Sequence, residues 1–191
     1  MDRGPLSDAD LVALARERDA EAFRKLVERH QDYVYNAIYH MVGRRQDVDD
    51  LAQEVFLNAY RGLPRFEGRS KFTTWLYGIA LNSVRGYWRR RKRVRVFSTD
   101  ASADDGPTHQ LEADGDDPPE AALRRERVEH VRAAIAELED DMREIVVLRD
   151  IQGLTYDELA ETLDVPIGTV KSRLYRARRA LRDALAPRYG Q

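Results

Sequence analysis

The sequence contains no cysteine and no long apolar run, and each absence removes a class of protein. Without cysteine, the chain can hold neither a disulfide framework nor a cysteine-ligated zinc site. The first residues lack the apolar core of a signal peptide, and no stretch reaches the roughly 18 apolar residues that cross a membrane. These absences favour a soluble protein that stays in the cytoplasm without membrane insertion.

Catalytic and phosphate-binding motifs are also missing. The 4 histidines are scattered without HExxH spacing, and the glycines form neither a GxxxxGK(S/T) nor a GxGxxG loop. Adjacent aspartates, at 49–50 and 140–141, would point about 100° apart on a helix and so converge poorly on metal ions. The sequence therefore predicts no enzyme, no cofactor and no bound metal.

The net charge of −2 hides an uneven distribution. Residues 1–95 carry 19 Lys and Arg against 13 Asp and Glu, residues 96–120 carry none against 8, and residues 121–191 carry 13 against 13. The middle segment has almost no apolar residues, so it cannot bury enough surface to offset the entropy of ordering. This pattern predicts a flexible acidic linker, 96–120, between two small domains at 1–95 and 121–191.

Apolar residues recur at helical spacing on both sides of the linker, which predicts an all-α protein. We expect four helices in the first domain. Ser7, with Asp10 as its capping-box partner, can begin the first helix, and Gly43 can end the second. The expected ranges are about 8–18, 20–41, 48–61 and from 73 into the basic segment near residue 93.

In the second domain, helices are expected at about 120–138 and 140–152. Thr155 and Glu158 form a capping box that begins the next helix, and Pro166 in the turn "DVPIG" separates it from the last one. Two helices joined by a tight Gly-containing turn, the second strongly basic, predict a helix-turn-helix.

The last helix has two different faces. Four aliphatic residues at three- and four-residue steps should pack on the preceding helix: Val170, Leu174, Ala177 and Leu181. The opposite face carries residue types that bond to base edges and phosphates: Lys171, Ser172, Tyr175, Arg176 and Arg179. A merely solvated basic face is the competing interpretation, but the capped helix and tight turn before it favour DNA reading.

A second basic segment, "YWRRRKRVR" at 87–95, follows the polar loop "FEGRSKFTTW". Aromatic side chains stack on unpaired bases and arginines neutralise phosphates, so this segment suits single-stranded or distorted DNA. A solvated helix end whose charge matches the helix dipole is the alternative. Trp75 is expected in the core, whereas the neighbours of Trp88 leave its place open.

The motifs "DLAQEVF", "FTTWLYGIA" and "GTVKSRL", in this order and on either side of an acidic linker, resemble those of the extracytoplasmic-function (ECF) class of bacterial RNA polymerase sigma factors. The resemblance covers nearly the whole chain. It implies a sigma region 2 domain at 1–95, which docks on core polymerase and recognises and melts the −10 element. It also implies a sigma region 4 domain at 121–191, which recognises the −35 element, and an anti-sigma factor that masks both domains.

The resemblance implies roles for individual residues. Docking on the clamp helices of the largest polymerase subunit falls to one helix face: Asp50, Gln53 and Glu54. The flap of the polymerase is the second expected contact. Recognition of the −10 element falls to Phe66, Gly68, Ser70, Lys71, Phe72, Asn82, Arg85, Trp88 and Arg89. Recognition of the −35 element falls to Lys171, Ser172, Tyr175, Arg176 and Arg179, with Thr169, Tyr156 and Arg149 as phosphate contacts.

One position departs from the family pattern. Many members carry Asp four residues after the asparagine of the fourth helix, where this chain has Gly86. Glycine in a helix interior costs roughly 1 kcal/mol relative to alanine. The role of that Asp cannot be transferred, and Tyr87 or Trp88 could supply a local contact instead.

A free-standing helix-turn-helix regulator of the LuxR type is the alternative, because its DNA-binding domain looks much like residues 140–185. Such a regulator would bind a palindromic operator as a dimer without polymerase. The first domain discriminates between the two, since "DLAQEVF" and "FTTWLYGIA" suit a sigma factor. The linker agrees: a coil of its length spans about 28 Å, against roughly 85 Å between the −35 and −10 centres, so a larger partner should set the spacing.

Overall fold

The computed structural model describes residues 6–97 and 118–189, and every regular element within these ranges is helical. The helices are α1 (Asp8–Arg16), α2 (Ala20–Val42), α3 (Arg45–Gly62), α4 (Phe72–Phe97), α5 (Pro118–Glu137), α6 (Asp140–Val146), α7 (Tyr156–Leu163) and α8 (Ile167–Tyr189). A 3-10 turn follows α3 at Leu63–Arg65, and a π-helical turn continues α6 at Val147–Ile151. The predicted all-α class is confirmed.

The first four helices pack in chain order around one core. Ser7 and Asp10 form the predicted capping box at the start of α1, and α2 ends at Gly43, whose φ of 79° suits glycine. The helix α3 begins three residues earlier than expected. Its N-cap, Arg44, makes no side-chain capping bond, so the sequence carried no signal for this start.

The second domain contains the predicted helix-turn-helix. The backbone N–H of Thr155 donates to Glu158 Oε2 at 2.8 Å, and the N–H of Glu158 donates to Thr155 Oγ1 at 3.2 Å. This capping box begins α7, which ends at Asp164 with φ of 55°. Only residues 164–166 separate α7 from α8, so the two helices are held in the tight arrangement expected from the sequence.

The two domains also pack against each other. The helix α2 contacts α5 and the π-helical turn, and α4 contacts α7. Buried apolar side chains of both domains form one continuous cluster, in which residues 145–148 are at most 1% exposed. The sequence could not predict this contact, because an apolar face that meets another domain has the same helical spacing as one that meets its own core.

Most of the predicted linker, residues 98–117, lies outside the described residues. At both of its ends the helices extend further than expected, since α4 continues to Phe97 and α5 begins at Pro118. Proline suits the first turn of a helix, where a backbone N–H has no intrahelical partner. The domain boundaries at 95/96 and 120/121 stay predictions.

Candidate nucleic-acid interface

The helix α8 presents its basic face to solvent. Its aliphatic stripe turns inward, with Leu181 half-buried and three members at most 2% exposed: Val170, Leu174 and Ala177. On the other side Tyr175 is 70% exposed, and Lys171 and Arg176 are exposed beside it. Packing of the stripe on α6 and α7 leaves these polar side chains clear to enter the major groove of DNA, which admits a helix.

An open groove lies beside this face, between α7 and α8. Its lining residues are Tyr156, Lys171, Leu174, Tyr175, Arg178, Arg179 and Arg182. Four of the seven are cations, so the groove attracts phosphate. Arg178 and Arg182 were not predicted, although their spacing after Lys171 and Tyr175 would have placed them on this side of the helix. Arg178 also pairs with Asp150, with 2.5 Å between NH2 and Oδ1.

Several of the residues predicted for the −35 element make contacts within the domain. Ser172 Oγ donates to the carbonyl of Thr169 at 3.1 Å, and it can still accept a bond from outside. Arg149 donates to the carbonyl of Leu154, and its guanidinium lies 5.0 Å from the ring centroid of Tyr156. A phosphate contact by Arg149 would therefore require it to give up contacts that hold the start of α7.

Three aromatic side chains pack together beneath the loop before α4. Phe66 and Phe72 are 7% and 6% exposed, and their ring centroids lie 4.8 and 5.8 Å from that of half-buried Trp75. Trp75 packs against the core as expected. In this arrangement neither phenylalanine offers a free face to an unpaired base, so they shape the loop from beneath.

The polar residues of this loop lie at the surface. Gly68 is exposed with φ of 71°, Ser70 is half-exposed, and the Lys71 side chain is 74% exposed. Lys71 Nζ lies 2.9 Å from Glu158 Oε1 on α7. The pKa of Glu158 is lowered, first by the backbone N–H of Thr155 and then by this lysine. Glu158 of the second domain thus forms an ion pair with Lys71 of the loop.

Along α4 the predicted residues divide into two groups. Asn82 and Arg89 are exposed. Arg85 instead donates through Nε and NH2 to the two carboxylate oxygens of Glu144, at 2.8 and 2.7 Å. The guanidinium of Arg143 lies over the Trp88 ring, 5.3 Å from the centroid of that ring. Arg85 and Trp88 therefore face the second domain rather than open solvent.

The contacts between the domains include groups that the sequence did not single out. Tyr77 Oη donates to Gln152 Oε1 at 2.9 Å, and Lys92 Nζ lies 2.7 Å from Asp140 Oδ2. Burial raises the pKa of Tyr77 to about 12, so the phenol stays protonated and able to donate. No local pattern in the sequence pairs residues separated by 48 to 75 positions.

The structure shows what surrounds Gly86, where the chain departs from the family pattern, and its neighbour Tyr87. Tyr87 is 9% exposed, and its hydroxyl donates to Asp47 Oδ2 at 2.7 Å while accepting from Arg91 at 3.0 Å. Burial and Asp47 raise its pKa to about 12. Tyr87 therefore ties α4 to α3. A Cβ added at Gly86 would lie 3.5 Å from the flexible end of Arg90, so the site does not require glycine for space.

The face of α3 predicted to meet polymerase is only partly free. Asp50 and Gln53 are exposed, and Leu57 is 49% exposed beside them. Glu54 differs, because it is half-buried and accepts a hydrogen bond from Ser83 Oγ at 3.1 Å. A neighbouring groove between α2 and α3 is lined by Gln53 together with Val27, Gln31, Asp32, Tyr35, Asp49, Ala52 and Phe56.

Comparison with known proteins places this geometry in a family. The family model for sigma-70 region 2 matches residues 26–94, and that for sigma-70 region 4 matches residues 129–181. The chain is 37% identical over 186 residues to the ECF RNA polymerase sigma-E factor of Haemophilus influenzae, covering 95% of this chain and 97% of that protein. The chain belongs to the ECF sigma factors. It is also 35% identical to the ECF sigma factor SigW of Bacillus subtilis, over 91% of this chain and 94% of that one.

Solved structures give the same fold for this sigma factor. It matches the structure of CnrH in complex with the cytosolic domain of CnrY with a TM-score of 0.69 and 28% identity, over 94% of this chain and 97% of that one. It matches the sigma factor RpoE of Bartonella quintana, solved with the anti-sigma factor NepR, with a TM-score of 0.72 and 23% identity, over 87% and 98%. The second likeness shows the fold alone.

Membership in this family identifies the activity: the chain is a transcription initiation factor that directs RNA polymerase to promoters. Region 4 contains the helix-turn-helix built from α7 and α8, and region 2 contains α3 and the loop before α4. Within the described ranges, no helix is long and apolar enough to cross a membrane. The same ranges hold no group of three or more His, Asp or Glu side chains arranged as a metal site.

Proposed function

We propose that this sigma factor reads the −35 element with α8 and the −10 element with the surface formed by the loop before α4 and by α4 itself. The exposed face of α8 carries the proposal for −35, because Tyr175, Lys171 and Arg176 stand clear of the domain next to a cationic groove. Arginine pairs in bidentate fashion with guanine in the major groove, and the groove cations hold the phosphates.

For the −10 element, the support is a polar loop followed by a helix with exposed Asn82 and Arg89. Single-stranded DNA binds surfaces that combine cations with aromatic side chains, because bases stack while phosphates are neutralised. Arg85 and Trp88 belong to this surface by their place on α4, once the second domain moves away. Flipping a base from the strand into the loop would favour melting.

The exposed acidic face of α3 is the proposed contact with core polymerase. Asp50 and Gln53 form a small acidic and amide patch, and the exposed Leu57 lies one helical turn further along the same face. Such a patch suits a basic partner helix, since complementary charge speeds and orients docking. The clamp helices of the largest subunit are the proposed site, and the flap is proposed to hold region 4.

An anti-sigma factor is a proposed partner, because the sigma factor RpoE of Bartonella quintana, whose fold this chain shares, was solved in complex with the anti-sigma factor NepR. The chain is proposed to act in the cytoplasm as a non-catalytic factor, with no reaction of its own. The relatives are RNA polymerase sigma factors, and this supports the proposed absence of enzymatic activity.

Transcription in vitro tests the proposal. Core polymerase and the full chain are mixed with a genomic promoter library, and the start sites of the transcripts are mapped. We expect initiation downstream of a shared pair of elements. Duplex binding by the chain alone, as a dimer on a palindrome and with no initiation at any promoter, would favour the LuxR-type alternative instead.

A further inference from the structure

We propose that the second domain acts as an internal competitor for the −10 strand. Three of its carboxylates occupy three cations of the first domain that the phosphates of the strand would otherwise bind. The inference rests on the proposed function, since it takes the α4 surface as the binding site for single-stranded DNA. It adds a closed, self-masked state of the free sigma factor.

The three ion pairs form a regular pattern. Their distances are 2.9 Å for Lys71–Glu158, 2.7 Å for Arg85–Glu144 and 2.7 Å for Lys92–Asp140. Arg85 and Lys92 stand seven residues apart on α4, and Lys71 directly precedes the helix, fourteen residues before Arg85. Helical spacing therefore sets the three cations along one side of this segment over roughly 30 Å. Asp140 and Glu144 stand four residues apart on one face of α6. A row of cations thus meets a row of carboxylates.

The central pair is built into the interface. The Glu144 side chain is 4% exposed and that of Arg85 is 34% exposed. A buried carboxylate is strongly unfavourable unless it is paired and hydrogen-bonded, and both oxygens of Glu144 accept from Arg85. The hydrogen bonds that Arg85 donates to Glu144 raise the pKa of the guanidinium above its ordinary value, so Arg85 remains charged. Glu144 therefore takes the position that a phosphate would take on this arginine.

Neighbouring contacts close the same surface. Arg143 NH1 donates to the carbonyl of Met41 at 3.2 Å, and its guanidinium covers Trp88. One face of the Trp88 ring is thus occupied by Arg143 rather than free for a base. The face of α8 is not covered, as the 70% exposure of Tyr175 shows. The closed state therefore covers Arg85 and Trp88 in the middle of the single-strand surface, leaves Asn82 and Arg89 exposed, and leaves the duplex-reading surface open.

Neutralising the three carboxylates tests the competition. The triple variant Asp140→Asn, Glu144→Gln, Glu158→Gln keeps similar side-chain shapes, and Gln still serves at the third position of a capping box. Its binding to a fluorescein-labelled 12-nucleotide random single strand is measured by anisotropy across a salt series. We expect at least tenfold tighter binding at low salt. The slope of log K against log salt should steepen by about 2, since each freed cation contributes roughly 0.7.

A matched variant controls for net charge. Asp157→Asn, Glu161→Gln, Asp164→Asn changes the charge by the same amount at three exposed carboxylates of the same domain. We expect it to bind the single strand much like the wild type. Equal gains in the two triple variants, or no gain in either, would overturn the inference.

A reversible cross-link tests closure in transcription and does not depend on the triple variant folding. Because the chain has no cysteine, Lys92→Cys with Asp140→Cys can be joined by a cleavable bismaleimide at a single place. The joined protein should retain duplex binding but fail to bind the single strand and fail to initiate with core polymerase. Cleavage should restore both activities to the level of the unjoined double variant, which binds the strand more weakly than the wild type because it lacks Lys92.

The outcomes separate the two proposals. If the joined protein initiates as well as the cleaved one, the closed state does not inhibit and the inference is wrong, while the proposed function stands. If the wild-type chain never initiates with core polymerase, the proposed function itself fails.

Discussion

Arg85 of region 2 and Glu144 of region 4 form a two-point ion pair at 2.8 and 2.7 Å, 59 residues apart in the sequence. The pair joins a helix proposed to bind the −10 strand to a helix packed behind the −35 reader. This one contact is therefore expected both to stabilise the closed state and to limit access to the −10 surface.

Arg85→Ala should lower the free energy of unfolding by about 3 to 5 kcal/mol, because it leaves the buried carboxylate of Glu144 without a partner. Adding Glu144→Leu to Arg85→Met should recover most of that loss, since two apolar side chains can replace the pair. Urea denaturation followed by circular dichroism measures both. Arg24→Ala, at an exposed pair, should cause no measurable change. A loss below about 1 kcal/mol for Arg85→Ala would indicate that water screens Glu144.

Arg176→Ala should weaken binding to the −35 duplex by about 1 to 3 kcal/mol and relax the preference for one base. Site selection from a random duplex library, followed by anisotropy on the selected site, measures the two effects separately. Arg61→Ala, at an exposed arginine of α3, serves as the control and should change neither. An equal loss of affinity on every sequence would reassign Arg176 to a phosphate contact.

Gln53→Ala should weaken binding to core polymerase roughly three- to tenfold without changing stability, because its side chain is exposed. Combined with Glu54→Ala the loss should grow, while duplex binding stays unchanged. Ser83→Ala is the matched control for Glu54, since it removes the hydrogen bond but keeps the carboxylate. If Ser83→Ala weakens polymerase binding as much as Glu54→Ala, then Glu54 acts by positioning α3.

Gly86→Ala should stabilise the protein by about 0.5 to 1 kcal/mol, because alanine restricts the unfolded chain and suits a helix interior. The nearest side-chain atoms to the added Cβ belong to flexible arginines, at 3.5 and 3.7 Å. Thermal unfolding measures the change. Gly43→Ala should destabilise instead, since its φ of 79° strains any residue with a Cβ. A loss of stability in Gly86→Ala would mean that the added methyl group is crowded despite these distances.

His40 should make stability depend on pH below about 6.5. Burial and then the charge of Arg132 lower its pKa from 6.5 to about 4. Between these values the unfolded chain binds more protons than the folded one, so stability is full above the unfolded pKa and falls as pH drops toward 4. The wild type should lose about 1 to 2 kcal/mol from pH 7 to pH 5 relative to His40→Gln.

Urea midpoints at the two pH values measure this difference. His40→Gln also probes the contact between the two domains, because His40 and Tyr39 lie where α2 meets α5. There the Arg132 guanidinium lies 4.6 Å from the Tyr39 ring centroid. Parallel pH profiles for the wild type and His40→Gln would mean that His40 is protonated without cost in the folded chain.

The local structure around the site was predicted well where it depends on nearby residues. The capping box at Thr155 and Glu158 and the aliphatic stripe of α8 each depend on residues within a few turns, and both are confirmed. The −10 loop was harder. Phe66 and Phe72 are flanked by polar residues, so nothing nearby indicated that their rings pack with Trp75 and are buried.

The sequence by itself determined the order of the helices, the capping boxes at Ser7 and Thr155, the helix-turn-helix and the family, because helical spacing, capping residues and motifs are all short-range patterns. Only the tertiary structure decided which charged groups meet. The pairing of Lys71, Arg85 and Lys92 with carboxylates of the other domain depends on how two apolar surfaces pack. Charge alone does not choose a partner, since an exposed lysine or arginine has many carboxylates within reach. Burial between the domains selects Glu144 for Arg85, and the same packing brings Glu158 and Asp140 beside Lys71 and Lys92 at the surface.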